Sequence, residues 1–261
     1  MDFQYKDSYN ITDLINIMRI LRAPDGCPWD RVQTHESIRQ NFIEETYEAV
    51  EAIDKGDSPL LREELGDVLM QVIFHSLMEE EEGRFCFDDV CDDVCKKLIV
   101  RHPHVFADTQ ADTPEEVLRN WDSIKMRTKS QESYADSVDD VARSLPALMR
   151  AQKVQKRSAK SGMDFKDAQS AAEKVLEERS ELLDAIQCGD KVKTEDELGD
   201  LLFSVVNVAR FAGVDAERAL YKATDKFAER FRAVEELAQK RGIDMKTAST
   251  ELIDSLWEEV K

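Results

Sequence analysis

An internal repeat is the feature that most constrains what this chain can fold into. Segment 44–67 reads EETYEAVEAIDKGDSPLLREELGD and segment 177–200 reads EERSELLDAIQCGDKVKTEDELGD, so the two align without a gap at an offset of 133 residues. Acidic residues and the ELGD ending recur at the same places. A repeat of this length indicates that the chain builds one structural unit twice.

Two further pairs of motifs extend the repeat toward the end of each half. Lys97 and Arg101, four residues apart, are matched by Lys226 and Arg230 at an offset of 129. The segments WDSIK at 121–125 and WEEVK at 257–261 match at an offset of 136. The change in offset places the insertions and deletions between the motifs, so the acidic positions keep their register.

The repeat and the chain length together predict two modules. A chain of 261 residues suits two domains of roughly 100–150 residues. Segment 126–140 is polar and lacks apolar periodicity, which is typical of a linker. We predict an N-terminal module over residues 1–130, a linker over 131–143 and a C-terminal module over 144–261, opened by a helix from about Ser144 to Lys160.

Helices are expected throughout. The chain has nine Gly and six Pro, too few for the frequent turns of an all-β protein, and no segment shows strand alternation. Apolar residues recur at helical spacing over 65–77 and again over 198–209, which predicts two long amphipathic helices. Ser58 followed by Pro59 predicts an N-cap and the first helical position of the first of them. The predicted fold class is all-α, with cores of the four-helix-bundle type.

Four carboxylates should converge in each module. Residues three apart share a helix face, so Glu45 pairs with Glu48, and Glu64 pairs with Asp67 on the next helix. A short turn around 55–59 would fold these helices antiparallel and bring the pairs together. The equivalent residues of the second module are Glu178, Glu181, Glu197 and Asp200.

Such a cluster has a metal-binding and a purely structural interpretation. Carboxylates packed without positive partners repel one another, and an all-oxygen ligand set suits a hard cation, so Mg²⁺ is expected and Mn²⁺ is an alternative. A di-iron site would require Glu-x-x-His pairs, which neither repeat contains. Solvated acidic helix faces are common in acidic proteins, but the recurrence of the pattern beside an apolar stripe favours the metal site.

Charge and composition exclude several classes of function. The 36 Lys and Arg against 55 Asp and Glu give a net charge of −19, which disfavours binding to nucleic acids or anionic membranes. No apolar run is long enough to span a membrane, and the N-terminal segment does not resemble a signal peptide, so we expect a cytoplasmic protein. The five cysteines include no C-x-x-C pair and are expected to be free thiols. A metal site formed by Cys86, Cys91, Cys95, His102 and His104 fits no zinc spacing.

Taken together, these motifs resemble the MazG nucleoside triphosphate pyrophosphohydrolases. The resemblance rests on E-E-x-x-E, a spacer, E-x-x-D within ELGD, the downstream K-x-x-x-R and W-x-x-x-K, and the GCPWD stretch at 26–30, and it covers nearly the whole chain in a tandem two-module form. It implies an all-α homodimer whose helices complete four-helix bundles. It also implies Mg²⁺-dependent hydrolysis of a nucleoside triphosphate (NTP) to the monophosphate (NMP) and pyrophosphate.

The resemblance assigns roles residue by residue. It implies that the two sets of four carboxylates hold metal, and that Glu177 and Glu44 help to orient water at the reacting phosphorus. Lys226, Arg230 and their counterparts Lys97 and Arg101 would bind phosphate. Trp257 and Trp121 would stack on a base or pack the core.

The modules are expected to differ in activity. Lys174 stands where the first module has Asn41, and Lys222 aligns with Asp93, so the second module has more positive charge to hold a triphosphate. We therefore predict that the C-terminal module is the main catalyst and that the enzyme has broad specificity. Two alternatives remain open: a narrower enzyme acting on a dNTP or a phosphoribosyl nucleotide, and a regulatory scaffold that binds nucleotides without turnover.

Overall fold

The chain forms two compact units, residues 1–124 and 125–261. The computed structural model describes residues 3–107, 113, 116, 117, 120, 121, 124 and 133–261. These residues are predominantly helical and contain no strand, which confirms the all-α prediction. Among them, no helix combines the length and apolar character needed to cross a membrane.

The first unit is organised around a helical hairpin. Its helices are α1 (Ile11–Arg22), α2 (Pro28–Arg31), α3 (Arg39–Lys55), α4 (Ser58–Glu81), α5 (Phe87–Arg101) and α6 (Pro103–Phe106). Helices α3 and α4 form the hairpin, and α1 and α5 pack against α4. The helix predicted from the 65–77 periodicity is therefore α4, which is longer than the periodic segment.

The turn between α3 and α4 is built by two residues. Gly56 ends α3 with a positive φ of 67°, a conformation that costs glycine little. The side chain of Asp57 caps α4 by accepting a hydrogen bond from the backbone N–H of Leu60, 3.1 Å away. The cap predicted at Ser58 was wrong by one residue, since Ser58 already lies inside the helix. The hydrogen bond between the Asp57 carboxylate and the N–H of Leu60 therefore determines the residue at which α4 begins.

The core of the first unit lies between α1 and α4. Met18, Ile38, Ile73, Phe74 and Leu77 are at least 97% buried and pack together with Met78. Two arginines of α1 bind glutamates of α4 at the edge of this interface. Arg19 and Arg22 form paired hydrogen bonds with Glu80 and Glu81 of α4, respectively.

The second unit repeats this plan, with a longer helix in the place of α5 and a final helix that carries Trp257. Its helices are α7 (Tyr134–Asp139), α8 (Ala147–Ser158), α9 (Ala168–Cys188), α10 (Lys191–Phe211), α11 (Ala216–Lys240) and α12 (Thr250–Glu259), with a 3₁₀ turn at Ala159–Ser161. Helices α9 and α10 form the hairpin equivalent to α3 and α4, with Gly189 and Asp190 at the turn. Helix α7 lies within the segment predicted as linker and packs against α8; residues 131 and 132 of that segment lie outside the described part.

Helix α8 makes polar contacts with α10 and with the turn that follows α10, whereas the interface between α1 and α4 is apolar. Gln152 donates to the carbonyl of Val214 at 2.7 Å and accepts from the N–H of Ala216 at 3.2 Å. The apolar cluster of this unit lies elsewhere, between α11 and α12, where Val234, Ala238 and Leu256 are almost fully buried. The two units thus share a hairpin but differ in what packs beside it.

Candidate metal and nucleotide site

The hairpin of the first unit brings its predicted carboxylates together. Oxygen atoms of Glu45, Glu48 and Glu64 all lie within 4.8 Å of one another. Asp67 is close enough to raise the pKa of Glu45 and of Glu64 electrostatically. Glu64 is buried, whereas Glu48 is exposed, so the cluster opens to solvent on one side.

Burial and mutual repulsion both act on this first cluster. Burial, followed by the charges of Asp67, Glu48 and Glu64, raises the pKa of Glu45. The pKa of Glu64 is raised by the same combination of desolvation and neighbouring carboxylates. No described lysine or arginine forms an ion pair with these groups. The arrangement provides the negative charge and oxygen ligands that a small divalent cation requires.

The second hairpin forms the matching cluster. Oxygen atoms of Glu178, Glu197 and Asp200 lie within 4.8 Å of one another, and Glu181 is close enough to hydrogen-bond with Glu197. Glu178 is 95% buried, whereas Asp200 is exposed. Burial, then the charge of Glu181, raises the pKa of Glu197. In both units the observed geometry is the convergence that the helical spacing predicted.

Two lysines distinguish the second cluster from the first. Lys174 forms ion pairs with Glu178 at 2.6 Å and with Glu177 at 2.9 Å, and these bonds raise its pKa. Lys193 lies 4.0 Å from Glu197. The sequence analysis missed Lys193, although its counterpart at the same offset of 133 is the apolar Leu60. The replacement of this leucine by a lysine in the second repeat was the sequence signal that could have identified Lys193.

The two glutamates predicted to orient water lie beside their clusters. Glu44 accepts a hydrogen bond from the side chain of Gln40 at 3.3 Å, and Glu177 is paired with Lys174. Both are exposed. Their role at the reacting phosphorus stays a prediction.

Apart from Lys174, the predicted phosphate-binding residues of the second unit lie on α11. Lys222, Lys226 and Arg230 form no ion pair with any residue described in the structure. Trp257 is half-buried against the apolar cluster of α11 and α12, with its ring centroid 5.3 Å from that of Phe227. Packing is therefore the observed contact of this tryptophan.

The equivalent residues of the first unit form a small group of their own. The Arg101 guanidinium lies 5.3 Å from the centroid of the Trp121 ring, which also contacts His102 edge to face. Lys97 is exposed on the same helix as Arg101. None of these three side chains forms an ion pair with the first acidic cluster, as far as the described residues show.

Histidine and cysteine side chains do not join either acidic cluster. His75 stacks on His35 with parallel rings 5.0 Å apart, and burial lowers its pKa. All five cysteines are unpaired. In the described ranges, the only clustered metal-ligand groups are the two carboxylate sets. The expected free thiols are thus confirmed in this structure.

The family assignment follows from comparison with known protein families. The MazG nucleotide pyrophosphohydrolase domain matches residues 33–106 and again 166–235, which contain the two helical hairpins. The chain belongs to the MazG family. The resemblance inferred from the acidic repeat is confirmed.

Relatives of this MazG chain match it along almost its whole length. The nucleoside triphosphate pyrophosphohydrolase of Escherichia coli is 47% identical over 254 residues, covering 96% of this chain and 97% of that protein. The nucleoside triphosphate pyrophosphohydrolase/pyrophosphatase MazG of Thermotoga maritima is 43% identical, covering 95% and 94%. The protein YabN of Bacillus subtilis is 44% identical over 94% of this chain, which spans half of YabN.

Proposed function

We propose that this MazG chain hydrolyses nucleoside triphosphates to the monophosphate and pyrophosphate. The observation that carries the proposal is the convergence of carboxylates in each hairpin, inside the segments that match a nucleotide pyrophosphohydrolase domain. The names of the Escherichia coli and Thermotoga maritima relatives support the same activity. Broad base specificity is proposed with it.

Magnesium is the proposed cofactor, and Mn²⁺ is a substitute of similar chemistry. The ligands would be Glu178, Glu181, Glu197 and Asp200 in the second unit, with Glu45, Glu48, Glu64 and Asp67 in the first. Three of the four in each unit, Glu178, Glu197 and Asp200 or Glu45, Glu48 and Glu64, have oxygens within 4.8 Å of one another, and such a donor set fits a hard divalent cation. When bound, Mg²⁺ supplies charge neutralisation for the triphosphate and Lewis acidity for the attacking water.

Other side chains of the second unit are proposed to bind the phosphates and to orient the attacking water. Lys174 lies against Glu177 and Glu178, so a short rotation of its flexible stem would carry its ammonium group to a phosphate oxygen. Glu177 would then be free to orient the water that attacks the α-phosphorus. Lys226 and Arg230, one turn apart on α11, would bind the departing pyrophosphate.

The second unit is proposed to be the main catalyst. Lys174 and Lys193 lie at its carboxylate cluster, whereas the first cluster has Asn41 and Leu60 at the equivalent positions. A triphosphate carries several negative charges, and lysines beside the carboxylates reduce the repulsion that it meets. The first unit retains all four acidic positions and is proposed to be weaker or regulatory.

A homodimer is proposed from the exposed apolar surface of the second unit. All residues from 218 to 229 of α11 are exposed, including Leu220 and Phe227, and such a stretch gains little stability alone. On the hairpin, Leu176, Leu198 and Leu202 are also exposed, by 66%, 46% and 48%. Pairing these faces with a second copy would complete a four-helix bundle and bury them.

The five free thiols and the proposed substrates fit the cytoplasm, where thiols remain reduced.

Product analysis tests the proposed function directly. The full-length chain would be incubated with each common NTP and dNTP, with and without Mg²⁺, and pyrophosphate would be resolved from orthophosphate. NMP with pyrophosphate, dependent on the metal, is the expected result. A single productive dNTP would favour the narrow-specificity alternative. Nucleotide binding without product, or release of orthophosphate, would refute the proposed reaction.

A further inference from the structure

Helices α8 and α11 begin side by side, and a side chain of α11 caps the start of α8. Helix α8 begins at Ala147, and its N-cap residue, Pro146, has no capping side chain. The carboxylate of Glu217, in the first turn of α11, accepts a hydrogen bond from the backbone N–H of Met149 at 3.2 Å. This N–H lies in the first turn of α8, where it has no partner within its own helix. Glu217 therefore supplies the cap that Pro146 does not.

Gln152 makes the reciprocal contact from α8 to α11. Its side chain is 92% buried. Its Oε1 accepts a hydrogen bond from the N–H of Ala216, the first residue of α11, at 3.2 Å, and its Nε2 donates to the carbonyl of Val214 at 2.7 Å. Because Ala216 is itself buried, loss of Gln152 would leave its N–H without water or another partner. Gln152 therefore fixes the place at which α11 begins.

The first turn of α11 also determines the direction of this helix. The buried residues of α11 are Ala216, at its start, and Val234 and Ala238 near its end, where α12 packs. All residues from 218 to 229 are exposed. Besides α12, helix α11 packs against α8 and α10, beside its own start. The middle of α11 is thus held through the contacts of its first turn with α8.

The proposed phosphate-binding residues lie far along α11 from this attachment. Lys226 and Arg230 follow Ala216 by ten and fourteen residues, which places them about 15 and 21 Å along the helix axis. A tilt of about 10° at the first turn would move them by about 2.6 and 3.7 Å, respectively. A misplacement of about 1 Å in a group that orients a substrate can cost roughly a hundredfold in rate. Small changes at the start of α11 would therefore remove the phosphate contacts.

The start of the equivalent helix in the first unit is held differently. At the offset of 129, Ala216 corresponds to Phe87, the first residue of α5. Phe87 packs against the apolar cluster between α1 and α4. The first unit thus uses an apolar contact where the second uses hydrogen bonds from Gln152.

We infer that Gln152 and Glu217 are positioning residues that hold Lys226 and Arg230 where the phosphates of the substrate bind. Neither residue contacts the substrate, because both act through the placement of α11. This inference rests on the proposed pyrophosphohydrolase function, and it adds which residues orient the phosphate-binding helix.

A double-mutant cycle tests the inference in the full-length chain, with the first acidic cluster disabled by Glu45→Gln and Glu48→Gln. Gln152→Met keeps the length of the side chain and removes both of its hydrogen bonds. We expect it to lower kcat/KM for ATP with Mg²⁺ about tenfold. In a chain that already carries Lys226→Ala and Arg230→Ala, the same substitution should lower kcat/KM less than about twofold, because the groups that it misplaces are absent.

A milder variant and a matched control accompany this cycle. Glu217→Ala removes only the cap of α8 and should lower kcat/KM about threefold, again only when Lys226 and Arg230 are present. It also provides the test if Gln152→Met does not fold. Arg157→Met is the control, because Arg157 lies on the same helix but binds the Ser137 carbonyl and Asp140 at α7. It should leave kcat/KM within about twofold in both backgrounds.

The possible outcomes separate the positioning role from the reaction. Equal losses in the two backgrounds, or an unchanged kcat/KM for both Gln152→Met and Glu217→Ala, would overturn the inference. If the unsubstituted chain forms no NMP and pyrophosphate, the proposed function fails instead. The same cycle would then be measured as the calorimetric affinity for inorganic triphosphate with Mg²⁺. Weakening by Gln152→Met that requires Lys226 and Arg230 would support the positioning role, and weakening that does not require them, or no weakening, would overturn it.

Discussion

Neutralising one carboxylate of the first cluster should stabilise the metal-free protein. The oxygens of Glu48 and Glu64 lie within 4.8 Å of those of Glu45. Two unit charges at that separation repel by about 0.9 kcal/mol in water and by about 3.5 kcal/mol at an effective dielectric constant of ~20. Because the cluster opens to solvent at Glu48, solvent screens the repulsion and the lower value is used for both pairs, which sum to about 1–2 kcal/mol. We expect Glu45→Gln to increase the free energy of unfolding by that amount.

The sign of the pH dependence follows from the direction of the pKa shift. Burial and the neighbouring carboxylates raise the pKa of Glu45, so the folded chain holds this proton to a higher pH than the unfolded chain. The stability of the unsubstituted protein therefore falls as the pH rises through and above the ordinary carboxyl range. The gain from Glu45→Gln should be largest near neutral pH and should vanish toward about pH 4.

Thermal and urea unfolding, followed by circular dichroism, would measure this effect. In EDTA the variant should unfold at a higher temperature than the unsubstituted chain, by about 3–5 °C. Excess Mg²⁺ should reverse the order, because the complete cluster binds the ion more tightly and gains more stability from it.

Glu51→Gln on the same helix is the control for this experiment. It removes the same charge from a residue that is paired with Lys55 at 2.6 Å. We expect little change or a small loss of stability from it. An equal or lower unfolding temperature for Glu45→Gln in EDTA, with equal stabilisation of both proteins by Mg²⁺, would refute the reasoning.

Four further variants test the second unit. Replacing Glu178 and Glu181 together by Ala should lower pyrophosphate release from NTP by about 100-fold, and retention of most activity would contradict a dominant second unit. Lys174→Ala should tighten Mg²⁺ binding severalfold in calorimetry, since it removes a competing cation, while raising KM for the triphosphate. Leu256→Ala should lower the free energy of unfolding in urea by about 2–5 kcal/mol, because this side chain is fully buried; a loss below about 1 kcal/mol would argue against that core. Leu202→Glu should halve the mass measured by light scattering, and an unchanged dimer would exclude this face as the interface.

Local helical geometry explains why the acidic site was predictable. Residues i and i+3 share a helix face in any fold, so Glu45 with Glu48 and Glu178 with Glu181 required only that the segments be helical. The pairing of the two helices followed from the short glycine turn between them. The repeat then supplied a second, independent copy of the same pattern.

Other features were set by contacts between distant segments. The ion pair of Lys174 with Glu178 could be anticipated from i, i+4 spacing, but a pocket that Gln155 and Asn207 line beside α10 could not. Gln155 and Asn207 are 52 residues apart, and only the packing of α8 on α10 brings both to one cavity. In isolation each is an ordinary polar residue on a helix.

The sequence by itself therefore determined the helical class, the two-unit organisation and the convergence of the carboxylates, because periodicity and repetition act locally. The tertiary structure alone decided what packs beside each hairpin. Phe74 fills that space in the first unit, whereas amides border an open pocket in the second. The physical reason is that core packing and cavities depend on the combined volume and polarity of side chains from several helices, which no single segment specifies.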